Sequence, residues 1–230
     1  MSGAAGKRAN IEAYIGASGS GKGVSINRRL AELAPTRLIV WDPRNEYGKW
    51  APGYDSLPHL IGAVRHAKGG PVRARYVFGE RLPIEDAFAK VCELAFNAEN
   101  IVFLAEELSD VTRPSWAPPA WRKCITQGRH QGLHILGAAQ RPALIDKTFL
   151  ANCTRVRCMA LGYAEDRRTM ARELDCSMDR VEGITARDGE DGGRSWADLQ
   201  FLERDRRTRE LRAGVLRIRG NRITEQAAAT

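Results

Sequence analysis

Ile11-Glu12-Ala13-Tyr14-Ile15-Gly16-Ala17-Ser18-Gly19-Ser20-Gly21-Lys22-Gly23-Val24 is the stretch that decides how this chain folds. The apolar run Ile11–Ile15 reads as a strand, the glycine-rich stretch as a loop and Val24–Leu33 as a helix, which is the layout of a P-loop. Glycines let such a loop curl until successive N–H groups point inward at phosphate oxygens, and the following helix adds the positive end of its dipole. Gly16, Ala17, Ser18, Gly19, Ser20, Gly21, Lys22, Gly23 and Val24 are therefore the candidate nucleotide-binding residues. Lys22 would place its ammonium over the β- and γ-phosphates of ATP. The next position departs from the pattern. A Ser or Thr hydroxyl normally follows the lysine and ligates Mg²⁺; here the residue is Gly23, which leaves Ser25 or a water to fill that place. The plain alternative is a glycine-rich turn with no ligand.

Around this motif the apolar runs alternate with helical patterns, so the expected fold is α/β with a mostly parallel central sheet flanked by helices. Arg37–Trp41, Ala74–Phe78, Ile101–Leu104, Leu133–Ala138 and Arg155–Leu161 read as strands. Leu57–Val64, Pro83–Phe96, Ala120–His130, Pro142–Leu150 and Glu165–Leu174 read as helices. Beyond Gly183 the character changes: Arg187–Gly193 reads as a polar loop, and Ala197–Leu202 and Leu211–Ile218 as two strands of a charged ribbon. The expected organisation is a flexible N-terminus over 1–10, an ATPase core over 11–183, a basic C-terminal β-ribbon over 184–222 and a disordered tail over 223–230. Arg204, Arg206, Arg207, Arg209, Arg212, Arg217, Arg219 and Arg222 crowd the ribbon. It is either a solvated sheet edge or an arm that contacts phosphates.

The 230 residues suffice for one α/β domain and leave little room for a second. A formal net charge of +8 biases the surface toward anionic partners. Five cysteines, an odd number without a C-x-x-C pair, read as buried thiols in a reducing compartment rather than as a zinc site. No apolar run approaches the roughly 20 residues needed to span a bilayer, and Met1–Asn10 has no apolar core for a signal peptide. A soluble protein is expected.

Ile101-Val102-Phe103-Leu104-Ala105-Glu106-Glu107 supplies the acidic pair that P-loop enzymes place at the end of a neighbouring strand. Glu106 would take the metal side with Mg²⁺ and Glu107 would polarise the attacking water; a solvated acidic turn is the alternative. Gln140, at the tip of the strand that precedes Arg141-Pro142, can reach the γ-phosphate or the lytic water, and would report whether ATP or ADP is bound. The alternative there is an incidental amide near a helix start.

The P-loop, Asp42-Pro43-Arg44-Asn45-Glu46-Tyr47, the acidic strand, and Gly128-Arg129-His130-Gln131-Gly132 running into Gln140-Arg141-Pro142 come in the order found in the FtsK–HerA superfamily of DNA-pumping ATPases, which this chain resembles over about Ile11–Leu161. The resemblance implies a RecA-like fold, a homo-hexameric ring and ATP hydrolysis coupled to movement of double-stranded DNA. It also implies an arginine acting on the neighbouring subunit's site, for which Arg129 leads over Arg141 and Arg155. Gly23 and Glu106, where Asp is commoner, depart from the family pattern. A core of this size is most like the genome-packaging ATPases of membrane-containing icosahedral viruses. That likeness implies capsid or portal-vertex partners and a place in the host cytoplasm and at the virion packaging vertex. A filamentous-phage assembly ATPase, a conjugation ATPase, a P-loop kinase and a nucleic-acid binder with a degenerate loop are the alternatives.

Overall fold

The computed structural model describes residues 9–79, 82–191 and 193–227. In chain order the elements are β1 (Asn10–Ile15), α1 (Lys22–Leu33), β2 (Arg37–Trp41), β3 (Gly53–Tyr54), α2 (Leu57–His66), β4 (Val72–Tyr76), α3 (Ile84–Ala98), β5 (Val102–Ala105), α4 (Leu108–Val111) and α5 (Pro119–Gln127). They continue with β6 (His134–Ala139), α6 (Lys147–Asn152), β7 (Arg155–Cys158), α7 (Ala164–Leu174), α8 (Met178–Glu182), β8 (Ala186–Asp191), β9 (Arg194–Asp205), β10 (Glu210–Arg219) and β11 (Arg222–Ala227). One sheet takes the order β11-β10-β9-β7-β1-β6-β5-β2-β4-β3, with β8 alongside β9. From β7 to β3 the neighbours run parallel. The C-terminal strands β8 to β11 pair antiparallel, and β9 joins them to β7.

Strands covered on both faces need apolar side chains pointing both ways. In β1, Ile11, Ala13 and Ile15 face one core and Tyr14 the other. Ile26 and Leu30 of α1 close the second core over Val40 and Leu136. Across the sheet, Trp121 of α5 is fully buried, with its ring 5.4 Å from Phe88, 6.1 Å from Phe103 and 5.5 Å from Phe149. Truncating such a residue to alanine costs roughly 3–5 kcal/mol. Because β1, β2, β5, β6 and β7 are parallel, their C-terminal ends share one edge, the place where open α/β sheets bind ligands. β1 lies between β6 and β7, and β5 flanks β6. The segments that follow these four strands are therefore neighbours.

Several expectations need correction. The helix expected over Pro142–Leu150 is broken: Pro142–Leu144 is a single 3₁₀ turn, Ile145 is extended, and α6 starts afresh where the Asp146 carboxylate accepts from the Thr148 N–H at 3.2 Å. The polar loop expected at Arg187–Gly193 is largely strand β8, because Ala186–Asp191 finds backbone partners along β9. The tail expected to be disordered from residue 223 begins instead as β11, which pairs with β10 through Ala227. Residues 228–230, and 1–8 of the N-terminus expected to be flexible, lie outside the described residues. The two-stranded ribbon is thus a four-stranded extension of the main sheet.

Much of its arginine is used internally. Arg206 donates to the Leu150 carbonyl at 2.6 Å and to Glu173 at 2.5 Å. Arg204 donates to the Leu174 carbonyl at 2.5 Å and the Asp175 carbonyl at 2.8 Å, so these two side chains fasten the C-terminal ends of α6 and α7. Arg207 reaches Ala9 and Asn10, and Arg212 pairs with Glu203 and Glu225. All five cysteines are free thiols, four of them buried. No described helix is long and apolar enough to cross a membrane.

Candidate active site

The P-loop leaves β1 and is pinned on two sides, Gly16 N–H donating to the Ala139 carbonyl at 3.2 Å and Ala17 N–H to the Ala160 carbonyl at 2.9 Å. Gly19 and Gly21 take φ of 74° and 103°, the left-handed region that side chains disfavour. At Gly21 a Cβ would also come within 2.8 Å of the Leu199 side chain. Ser20 closes the turn, its hydroxyl donating to the Ala17 carbonyl at 2.7 Å. Ser18 and Gly19 stay exposed at the tip. Lys22 opens α1, and its Nζ folds back to donate to the carbonyls of Gly16 at 2.9 Å and Ala17 at 3.3 Å. Burial lowers its pKa, while Glu106, Glu107 and Glu46 oppose that shift. Three carboxylates from two loops therefore converge on this ammonium.

Glu106 and Glu107 follow β5 as expected, but their environments differ. Glu106 is buried and accepts a hydrogen bond from the Tyr47 hydroxyl. Burial pushes its pKa up to about 7, against the lowering effect of the Tyr47 hydrogen bond. Glu107 sits at φ 48° and is half-buried; its Oε1 accepts from Gln140 Nε2 at 2.6 Å. The end of β6 thus meets the end of β5 through a Gln–Glu contact; β6 lies next to the P-loop strand β1, and β5 one strand further on.

Sequence reasoning did not single out Tyr47, although the Asp42–Tyr47 block contains it. The buried Asp42 carboxylate accepts from the backbone N–H groups of Glu46 at 2.8 Å and Tyr47 at 3.0 Å. Arg75 pairs with the same carboxylate at 2.9 Å. The carboxylate thus ties down the loop after β2, which aims Tyr47 at Glu106 and brings Glu46 near Lys22. The available signal was an Asp-Pro with a tyrosine four residues further on, but its partner lies at the end of a different strand.

The two proposals for the missing hydroxyl fare differently. Ser25 is buried in the first turn of α1, where its Oγ accepts from Arg157 at 3.4 Å, so serving Mg²⁺ would require that hydroxyl to leave or share the guanidinium. At Gly23 nothing lies within 4 Å of where a Cβ would stand. Mg²⁺ keeps several waters and needs only one or two carboxylates besides substrate phosphates, so Glu106, Glu107 and the open space at Gly23 fit that ion.

The arginines are dispersed. Arg129 lies in the 3₁₀ turn before β6, at the opposite edge of the sheet from the P-loop; its side chain is exposed and donates to the neighbouring His130 at 3.3 Å. It does not join its own subunit's site. Arg155 is held among Glu12, Glu203 and Asp205 at that same far edge. Arg141 stands at the site edge, paired at 2.5 Å with the buried Asp166 and stacked 3.8 Å over the Tyr163 ring.

No family model matches the chain. Over 174 residues, 74% of this chain and 77% of the relative, it is 31% identical to protein P9 of Pseudoalteromonas phage PM2. Among solved structures, the genome packaging NTPase B204 of Sulfolobus turreted icosahedral virus 2 matches it in complexes with AMPPCP (TM-score 0.67, 14% identity) and with ATP-gammaS (TM-score 0.68, 16% identity). Each match covers 89% of this chain and 96% of that one, and shows the fold. With its P-loop, acidic strand and Gln140 strand assembled at one sheet edge, the chain has the fold of those packaging NTPases and belongs to the family of protein P9 of phage PM2.

Proposed function

We propose that this protein hydrolyses ATP to move double-stranded DNA, packaging a viral genome into a preformed capsid. The observation that carries the reading is the meeting of Lys22, Glu106, Glu107 and Gln140 at the C-terminal edge of three adjacent parallel strands, in a chain of this family. The backbone N–H groups of Gly16–Gly23 hold the phosphates, and Lys22 exchanges its loop carbonyls for the β- and γ-phosphate oxygens. A Mg²⁺ ion, when bound by Glu106 and the phosphates, supplies charge neutralisation. Glu107 orients the attacking water, and Gln140, in hydrogen-bond contact with Glu107, links that water to the state of the γ-phosphate. Charge developing on the transferred phosphoryl oxygens calls for a further guanidinium. A homo-hexameric ring supplies it from the neighbouring subunit, with Arg129 the exposed candidate and Arg141 the one already at the site edge.

In this reading the protein works in the host cytoplasm and at the packaging vertex of the virion, against capsid or portal-vertex proteins. The test is ATP hydrolysis by the purified protein with and without duplex DNA, in wild type and Lys22→Ala. DNA-stimulated turnover that Lys22→Ala abolishes supports the reading. Turnover that needs a small phosphate acceptor instead of DNA would identify a kinase and overturn it.

A further inference from the structure

The arginines of the C-terminal strands fall into two groups at opposite ends of the sheet extension. Those near the β9–β10 turn are fastened to α6, α7 and their own acidic neighbours. The other end projects past the nucleotide edge: β9 runs antiparallel to β7 with Leu202 opposite Cys158, so residues 194–201 continue beyond it, and Leu199 packs on Gly21 of the P-loop. Alternate residues of a strand point to opposite faces. The register puts Arg187, Asp198 and Arg217 in one row and Trp196, Arg219 and Arg222 in the next, all on one face. Asp188 and Glu225 fall on the other face, with the apolar Ala197, Ile218 and Ile223. The alternation therefore leaves the Arg187 face with an excess of cations: Arg187, Arg217, Arg219 and Arg222 against Asp198 and Asp191.

Arg219 is fixed in place, paired at 2.7 Å with Asp198 and lying 5.6 Å from the Trp196 ring, beside a cavity of about 720 Å³. The side chains of Arg187, Arg217 and Arg222 are exposed and make no hydrogen bond or close ion pair among the described residues, although Arg217 is near enough to Asp198 to help the Arg219 hydrogen bond hold its pKa down. We propose that this face is the surface that grips the phosphate backbone of double-stranded DNA; the proposal rests on the DNA-motor reading above. Guanidiniums match phosphate oxygens in planar, paired contacts. β8 and β10 flank β9, so Arg187 and Arg217 start about 10 Å apart, far enough to reach different phosphates of one strand. A protein partner would want an apolar centre, and the exposed Ile223 lies on the opposite face. Strand β9 thereby carries the cationic face on one side and the P-loop contact on the other.

The test is equilibrium binding of random-sequence duplex DNA to full-length wild type and to Arg187→Gln/Arg217→Gln/Arg222→Gln, measured across a salt series. Three lost phosphate contacts should flatten the log–log salt slope by about 2.7 and weaken binding at about 0.1 M salt roughly several-hundred-fold, evenly across sequences. The all-Lys triple variant should keep most of the slope. Should the Gln triple melt early, Arg222→Gln alone is expected to lower the slope by about 0.9. Wild-type affinity and slope in the triple variant would overturn this surface while leaving the motor reading intact. Failure of the wild type itself to bind any duplex would overturn both.

Discussion

Removing one hydroxyl tests how the site sets its acid. Tyr47→Phe deletes the hydrogen bond that the Tyr47 hydroxyl donates to the buried Glu106 carboxylate and changes little else in packing. A hydrogen bond to a charged group contributes about 1.5–3 kcal/mol, equivalent to about one to two pKa units. Glu106 already titrates near 7 because burial disfavours its charge. Without Tyr47 it should titrate near about 8–9, so the ionised fraction at neutral pH drops from about a half to between a tenth and a hundredth. If ionised Glu106 is needed, kcat/KM for ATP at neutral pH should fall about five- to fiftyfold and recover as pH rises through the new value. The assay is steady-state hydrolysis across the pH range, since kcat/KM reports groups of the free enzyme. An unchanged midpoint of the rising limb in Tyr47→Phe, or a loss that is the same at every pH, would refute the reasoning.

Other substitutions probe neighbouring atoms. Glu106 holds its proton to higher pH folded, near 7, than at its ordinary 4.5, so the stability it contributes as a neutral acid is present below about pH 4.5 and lost as pH rises through 7. Glu106→Gln should therefore melt like wild type near pH 5 but roughly 5–10 °C higher near pH 8, from about 3 kcal/mol of relieved burial cost, while failing to hydrolyse ATP; equal melting points at both pH values would contradict this. Glu107→Gln should still bind ATP with Mg²⁺ and hydrolyse it on the order of a hundredfold more slowly, and Gln140→Ala should keep nucleotide binding but lose DNA stimulation, both read by filter binding beside turnover. Gly23→Ser restores the usual hydroxyl into open space, so a Mg²⁺ titration of nucleotide binding should shift to lower concentration; an unchanged curve would mean the open space at Gly23 is not part of the ion's shell.

Much of this architecture was readable because local and global demands agree. Gly16–Lys22 between an apolar run and a helix pattern permits few folds, and Arg37–Trp41 reads as a buried strand because the run is four-fifths apolar and stops at Asp42-Pro43. What could not be read depends on distant partners. Tyr47 meets Glu106 only once β2 and β5 lie side by side. Strand β8 has no apolar alternation over Arg187–Asp191 and is a strand only because β9 offers it backbone partners, a case where tertiary context overrides propensity. The arginine count gave the right sign of charge but not its use: Arg204 and Arg206 look like surface cations in sequence and serve as fasteners of helix ends. Ser25 carries the right hydroxyl, but the turn of α1 points it at Arg157.

The central claim is that hydrolysis at this site moves duplex DNA. Displacement of a third-strand oligonucleotide from a long duplex measures that movement directly. The account expects release that requires ATP, proceeds at a rate proportional to turnover, and disappears in Lys22→Ala. Vigorous DNA-stimulated hydrolysis that leaves the third strand in place would contradict it.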